Sequence, residues 1–371
     1  MPAHLKTWQV CVIPKTIDDV SSSWLAEVLA APIKDMQITQ IGQGVGIMGD
    51  IFRVNLNYAQ ASASAPASVV VKLPSSFEEN RAQGVALGMF DAEVRFYKEM
   101  AAQVPTGLPQ IYHADIEPGT ADFVIVMQDL CELALVEQSR GMSASQAAAA
   151  VTVLAAVHST WWDRVQGGEL DWIPSMIGDR IAMVDQMLLQ ILPVFLANFG
   201  ERLTADEQRV YELFAGRYLA INQTIAGRSP WTLVHQDYRV ENLMFGGDDG
   251  VVVIDWQGIG RGPGAYDLAY VLSGSMQTEL RRQHEGDLTR LYHAELLARG
   301  VSGYDYDALW ADYQTAQLMG GLATAMVVGG GMDLSNERGV ELGATMATRH
   351  ARAALDHNGL EFLNTLAASQ E

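Results

Sequence analysis

Val234-His235-Gln236-Asp237-Tyr238-Arg239-Val240-Glu241-Asn242-Leu243-Met244-Phe245 leads into the turn Gly246-Gly247-Asp248-Asp249-Gly250 and then into Val251-Val252-Val253-Ile254-Asp255-Trp256-Gln257. Two apolar runs around a glycine- and aspartate-rich turn predict a β-hairpin over Leu243–Phe245 and Val251–Ile254. A tight hairpin returns the end of its second strand to the beginning of its first. Asn242 and Asp255 are therefore expected close together, and two oxygen donors at one point suit Mg²⁺, a hard cation. Asp237, five residues before Asn242, is placed to accept a proton from an attacking hydroxyl. A lone Asp or Asn in a loop is usually a turn or cap residue. The joint spacing His-x-Asp, Asn and Asp on strand-turn-strand instead describes a phosphoryl-transfer loop with its metal-binding segment.

Upstream, Lys72 interrupts the apolar run Val69-Val70-Val71-Lys72-Leu73, where an ammonium is costly without a partner. Helical spacing from Asp91 to Met100 puts Asp91, Arg95, Lys98 and Glu99 on one face and Phe96, Tyr97 and Met100 on the other, with Glu93 among the latter. A carboxylate on an apolar face requires a cation, and Lys72 is the natural one. Gly42-Gln43-Gly44-Val45-Gly46, followed by Gly49, lies between two expected strands and would let backbone approach phosphates. It is no Walker A loop, since no Gly-Lys-Ser/Thr ends it and no helix follows.

Further strands are expected at Met36–Ile41, Ile51–Tyr58, Ser68–Leu73 and Phe123–Met127. After about Asp129 the chain reads as helical. Ser143 and Gln146 form a capping box for a helix to His158, and two more helices are expected over Gly178–Asn198 and Thr204–Ala226. The fold class is thus α+β, with a small antiparallel-sheet lobe at 1–127 and a large, mainly helical lobe at 128–371 that carries the hairpin.

Of the 371 residues, 49% are apolar and 18% charged, an ordinary globular balance. Acidic residues outnumber basic ones 44 to 24, a formal charge of −20, which disfavours nucleic acid as a partner. Cys11 and Cys131 lack metal-ligand spacing and imply a reduced, cytoplasmic setting. Met1–Lys15 has no signal-peptide core, and the most apolar helical stretch, Met187–Phe199, is too short to span a bilayer and contains Pro193. No membrane partner is expected; oligomeric state is not legible. Trp161, Trp162 and Trp172 read as core, as does His158, and Gly329-Gly330-Gly331 as a break between helices.

These segments resemble the protein-kinase-like superfamily in its aminoglycoside phosphotransferase and choline-kinase branch, nearest to the ecdysteroid-kinase-like phosphotransferases. The resemblance runs through Gly42–Val54, Ser68–Pro74, Glu93–Tyr97, Val126–Leu130, Leu154–Trp162 and Leu233–Tyr270. It implies a bilobal protein-kinase-like fold and transfer of the γ-phosphoryl of ATP, with Mg²⁺, to a hydroxyl of a small molecule. Gly44 and Gly46 would approach the phosphates, Lys72 would hold them and Glu93 would orient Lys72. Backbone groups of Gln128, Asp129 and Leu130 would bind adenine at a hinge near 128–131. Asp237 would be the base, and Asn242 and Asp255 the metal ligands. Asp267 would brace the catalytic loop and His235 would be structural, while helices within about 161–229 would set acceptor choice. Gln236 stands where this branch usually has glycine, and Gln128 where an acidic residue is common. The rival reading is a nucleotide-binding pseudokinase serving as scaffold or sensor. A protein kinase is disfavoured, because no Ala-Pro-Glu segment follows Asp255.

Overall fold

The computed structural model describes residues 12–42, 49–60, 65–247, 250–331 and 334–368. The chain divides into two compact units. The first comprises Met1–Gln103, Leu108–Glu132 and Asp255–Gln257, the second Val104–Gly107, Leu133–Ile254 and Gly258–Glu371. The division near Glu132 lies a few residues beyond the boundary expected at 127, and the short segment after the hairpin belongs to the first unit.

In the first unit, strands β1 (Ile33–Ile41), β2 (Gly49–Tyr58), β3 (Ser68–Pro74), β4 (Ile111–Ile116) and β5 (Phe123–Gln128) form an antiparallel sheet in the order β1-β2-β3-β5-β4. Among the described residues it is accompanied by the α-helices α1 (Ser22–Leu29), α2 (Glu78–Ala86) and α3 (Met89–Arg95), the last continuing as a π turn over Phe96–Met100. Side chains alternate across a strand, and β3 uses both faces. Val69, Val71 and Leu73 pack with Val124 and Val126 of β5 against Trp24 and Leu25 of α1. Lys72 points the other way, toward α3. Phe90 of α3 stacks on Phe123 of β5 with ring centroids 4.8 Å apart. Helix α1 was not expected from the sequence, although Ser21, whose hydroxyl accepts the Trp24 N–H at 3.1 Å, is an N-cap of the usual kind.

The second unit contains α4 (Ala144–Trp161), α5 (Asp179–Phe199), α6 (Ala205–Phe214), α7 (Tyr218–Ala226), α8 (Ala265–Ser275), α9 (Thr278–Ala298), α10 (Tyr306–Ala316), α11 (Gly320–Gly331), α12 (Glu337–Asp356) and α13 (Gly359–Ala368). Its strands are short: β6 (Ala134–Leu135), β7 (Trp231–Val234), β8 (Leu243–Phe245), β9 (Val251–Val253) and β10 (Gly260–Pro263). The hairpin is β8–β9, in register Leu243↔Val253 and Phe245↔Val251, and β6 extends it. The Ser143–Gln146 capping box starts α4 as expected.

Three expectations need correction. The single helix expected over Thr204–Ala226 is two helices, because Gly216 takes φ +78°, a conformation that ends a helix at little cost only for glycine. A Cβ there would also come within 2.9 Å of Leu189. Gly329, Gly330 and Gly331 are all helical, in the last turn of α11, and the missing side chains of the first two admit Phe195, Phe199 and Ile191 of α5. Helix α5, prolonged by a turn to Arg202, exceeds the apolar stretch expected, and by length and composition alone it is long and apolar enough to cross a membrane. One side of it, with Ile181, Asp185, Leu188, Phe195 and Phe199, is buried in the helical unit.

Candidate active site

The chemistry-bearing residues form two clusters, one in each unit. In the first, the Lys72 ammonium donates to both Glu93 oxygens, at 3.0 and 2.8 Å, and to Asp255 Oδ1 at 3.0 Å. Glu93 is only 1% exposed, so the ion pair inferred from helical spacing exists. Burial pushes the Lys72 ammonium toward neutrality, but the Asp255 and Glu93 carboxylates outweigh it and hold its pKa above the ordinary lysine value. Gly49 makes room for this side chain, since a Cβ there would lie 3.3 Å from Lys72 Cε. Asp255 adopts φ +65°, a region that costs a side-chain-bearing residue energy. The bond to Lys72 helps to hold it, as does the stacking of Trp256 on Phe96 at 4.0 Å, which ties the residue after Asp255 to the helical segment bearing Glu93.

The expected adenine-binding segment follows β5. The Gln128 N–H donates to the Gln110 carbonyl at 2.8 Å, whereas the Leu130 N–H has no partner among the described residues. The Asp129 carboxylate accepts from Arg53 at 2.7 and 3.1 Å and from Ser68 at 2.7 Å. Burial raises its pKa, but these donors more than offset that and hold it below the usual carboxylate range. Asp129 therefore acts as a structural anchor, and any contact to a nucleotide falls to its backbone. Gly44 and Gly46 lie outside the described residues.

In the second unit Asp237 is held by three donors. Tyr270 Oη donates to Oδ1 at 2.7 Å, and Asn242 Nδ2 to Oδ2 at 2.8 Å. Arg239 Nε lies 3.4 Å from Oδ2. The Asp237 side chain remains 31% exposed, so it is oriented without being sealed. Asn242 Nδ2 also donates to the Asp237 carbonyl at 2.9 Å, which fixes the amide and leaves Oδ1 without a partner among the described residues. Ile254 N donates to the Asn242 carbonyl at 3.0 Å, so Asn242 faces the residue that precedes Asp255.

The loop around Asp237 is pinned by α8. Asp267, fully buried, accepts the His235 N–H at 2.6 Å and the Gln236 N–H at 2.9 Å. His158 Nε2 lies 3.2 Å from the same carboxylate, and its Nδ1 lies 2.6 Å from the Tyr292 hydroxyl. His235 Nε2 donates to the Ile254 carbonyl at 3.1 Å while Nδ1 receives the Asp237 N–H at 3.3 Å. Asp267, His235 and His158 are thus structural. Gln236 has φ +67°, which explains why glycine suits this position. Its side chain occupies space left by Gly260, where a Cβ would sit 2.8 Å from Gln236 Cδ.

Two partners of Asp237 escaped the sequence reading, Tyr270 and Arg239. Tyr270 was legible in principle. It lies three residues after Asp267 on α8, and positions i and i+3 share a helix face, so a helix bracing the loop through Asp267 presents Tyr270 to it.

Among the described residues no cluster of three or more His, Cys, Asp or Glu side chains is arranged to hold a metal. Asn242 and Asp255 are hard oxygen donors, and the fixed Asn242 amide directs its unbonded Oδ1 away from Asp237. Each is an oxygen donor of the kind Mg²⁺ accepts.

A strand unit with a buried Lys–Glu–Asp set and a helical unit with an oriented Asp define a protein-kinase-like phosphotransferase. The sequence matches the ecdysteroid kinase-like family over residues 43–300, and the chain belongs to that family. It is a small-molecule kinase in class. Solved structures share the fold. Choline kinase from Cryptosporidium parvum Iowa II aligns with TM-score 0.56 at 10% identity, covering 90% of this chain and 92% of its own. A protein from Ralstonia eutropha JMP134, provisionally named an aminoglycoside phosphotransferase, aligns with TM-score 0.54 at 17% identity, covering 90% and 97%. Spectinomycin phosphotransferase, solved with ADP and spectinomycin, gives 0.53 at 11%, covering 91% and 99%. No curated protein matches the sequence.

Proposed function

We propose that this protein transfers the γ-phosphoryl group of ATP to a hydroxyl of a small molecule, with Asp237 as the base. The observation that carries the reading is the state of Asp237: a carboxylate oriented by Tyr270, Asn242 and Arg239 yet still open to solvent. A hydroxyl at its open side would be aligned for in-line attack and would pass its proton to the carboxylate. Lys72, kept cationic by Glu93 and Asp255, would hold phosphate oxygens of the donor. The Leu130 N–H offers a donor to a nucleobase. Asn242 and Asp255 would supply oxygens to Mg²⁺, which when bound neutralises charge on the phosphates. Positioning and electrostatics, rather than covalent chemistry, supply the rate.

Nucleotide binding tests the donor half separately. Titration of ATP with Mg²⁺ into the wild type and into Lys72→Met is expected to show affinity weakened by about 1.5–3 kcal/mol, the scale of a charged hydrogen-bonded contact. Equal affinities would remove Lys72 from the nucleotide site.

A further inference from the structure

Arg180, in the second unit, is a half-buried arginine that no carboxylate among the described residues pairs with. It lies in the first turn of α5, partly buried. Its Nη2 donates to Gln236 Oε1 at 2.5 Å, to the Ile259 carbonyl at 3.2 Å and, more weakly, to the Gly258 carbonyl at 3.4 Å. Among the described residues no carboxylate comes within ion-pair distance of it. Arg217 also lacks an acid, but its Nη1 donates to the Leu213 carbonyl at 2.8 Å and its Nε is sealed from solvent. Arg281 pairs with Glu285 and Asp356, and Arg239 with Asp237 and Glu241. Arg349 also lacks an acid, but both its Nη atoms are occupied by the carbonyls of Gln138, Gly274 and Ser139 at 2.7–3.0 Å. Arg180 leaves Nε and Nη1 without a protein partner among the described residues, and neither is a buried unsatisfied atom. Its remaining donors are therefore not sealed from solvent.

The surroundings carry the same signature. Burial depresses the Arg180 pKa, and only the tyrosines 218 and 266 act against that. Asn222, wholly buried beside Tyr218, has neither amide atom in a hydrogen bond of ordinary geometry. Gln236 Nε2 is also buried without a partner. A half-buried guanidinium without a counter-ion is costly, and one with donors still unbonded is suited to a charge-assisted hydrogen bond to a carboxylate or phosphate oxygen. The residue it grips, Gln236, immediately precedes Asp237 in the chain.

We infer that Arg180 is a specificity-determining residue that binds an anionic group, most simply a carboxylate, of the acceptor whose hydroxyl Asp237 activates. This deepens the kinase reading and rests on it for the word acceptor. The net charge of −20 works the other way at long range, but surface fields decay within about 8 Å at physiological salt, and contact chemistry at a half-buried guanidinium decides which acceptor stays.

The test uses the intact wild-type protein and needs no turnover. Phenylglyoxal, which modifies accessible guanidinium groups, is applied with or without 3-hydroxybutyrate or its uncharged counterpart butane-1,3-diol, and adducts are located by peptide mass spectrometry. Arg180 is expected to label, and ~20 mM 3-hydroxybutyrate to slow that labelling about threefold, as a dissociation constant of ~10 mM gives. The diol is expected to have no effect, and surface arginines such as Arg209 to show no protection. An Arg180 that stays unlabelled, or labels at one rate in all conditions, overturns the inference. Protection without any transfer from ATP would leave the anion site standing and sink the kinase reading. Transfer to neutral acceptors with no protection would do the reverse.

Discussion

At the scale of single residues, the candidate base is defined by what holds it. Tyr270 donates to Asp237 Oδ1 and Asn242 to Oδ2, so each oxygen has its own restraint and rotation of the carboxylate is blocked. Tyr270→Phe removes one restraint without opening a large cavity. A hydrogen bond to a charged group contributes about 1.5–3 kcal/mol, so kcat is expected to fall about tenfold or more while the KM for ATP stays near the wild-type value. Steady-state kinetics on the acceptor found for this protein would check it, and an unchanged kcat would mean the hydroxyl is a bystander. Gln236 shows the limit of residue-level reading. The sequence marks it as a departure from glycine, but only the backbone angle of +67° and the grip of Arg180 explain how a side chain is accommodated there.

At the scale of elements, helix α8 organises the second unit's cluster. It supplies Asp267 to the loop, Tyr270 to Asp237, and Ser273, whose hydroxyl lies 2.8 Å from His350 Nδ1 on α12. His350 is fully enclosed at this helix crossing, and burial, aided by the nearby Arg349 charge, pushes its pKa down to about 3. The folded value is lower than the unfolded one, so the unfolded chain takes up the proton first. The stability that His350 contributes is therefore present above pH ~6.5 and is lost as the pH falls from there toward about 3. One proton corresponds to a slope of about 1.4 kcal/mol per pH unit. Urea unfolding of the wild type and His350→Gln at pH 7 and pH 5.5 is expected to differ in pH dependence by up to that slope; parallel behaviour would show that His350 titrates normally. The strands and long helices were legible because their signals are local: β-branched runs, capping boxes and periodicity. Helix α1, strand β4 and the break at Gly216 were less so, because their identity depends on what they pack against.

At the scale of the molecule, the order of elements was readable before any coordinates: a strand-rich first third, a helical remainder and a hairpin embedded in it. The Lys72–Glu93 pair was readable too, because an ammonium and a carboxylate on apolar faces each demand a partner. The third member of that set, the bond from Lys72 to Asp255, was not, since it joins residues 183 positions apart and no local pattern encodes such a meeting. The acceptor also lies beyond the sequence motifs, because specificity rests on side chains such as Arg180 that belong to no motif. The most direct test is transfer of labelled γ-phosphate from ATP, with Mg²⁺, across a panel of hydroxylated small molecules that includes hydroxy acids, choline-like alcohols, sugars and sterols. The wild type is expected to phosphorylate one class, and Asp237→Asn to do so ~10²–10⁴ times more slowly with ATP affinity nearly unchanged. A variant that turns over at the wild-type rate would contradict the assignment of Asp237 as the base.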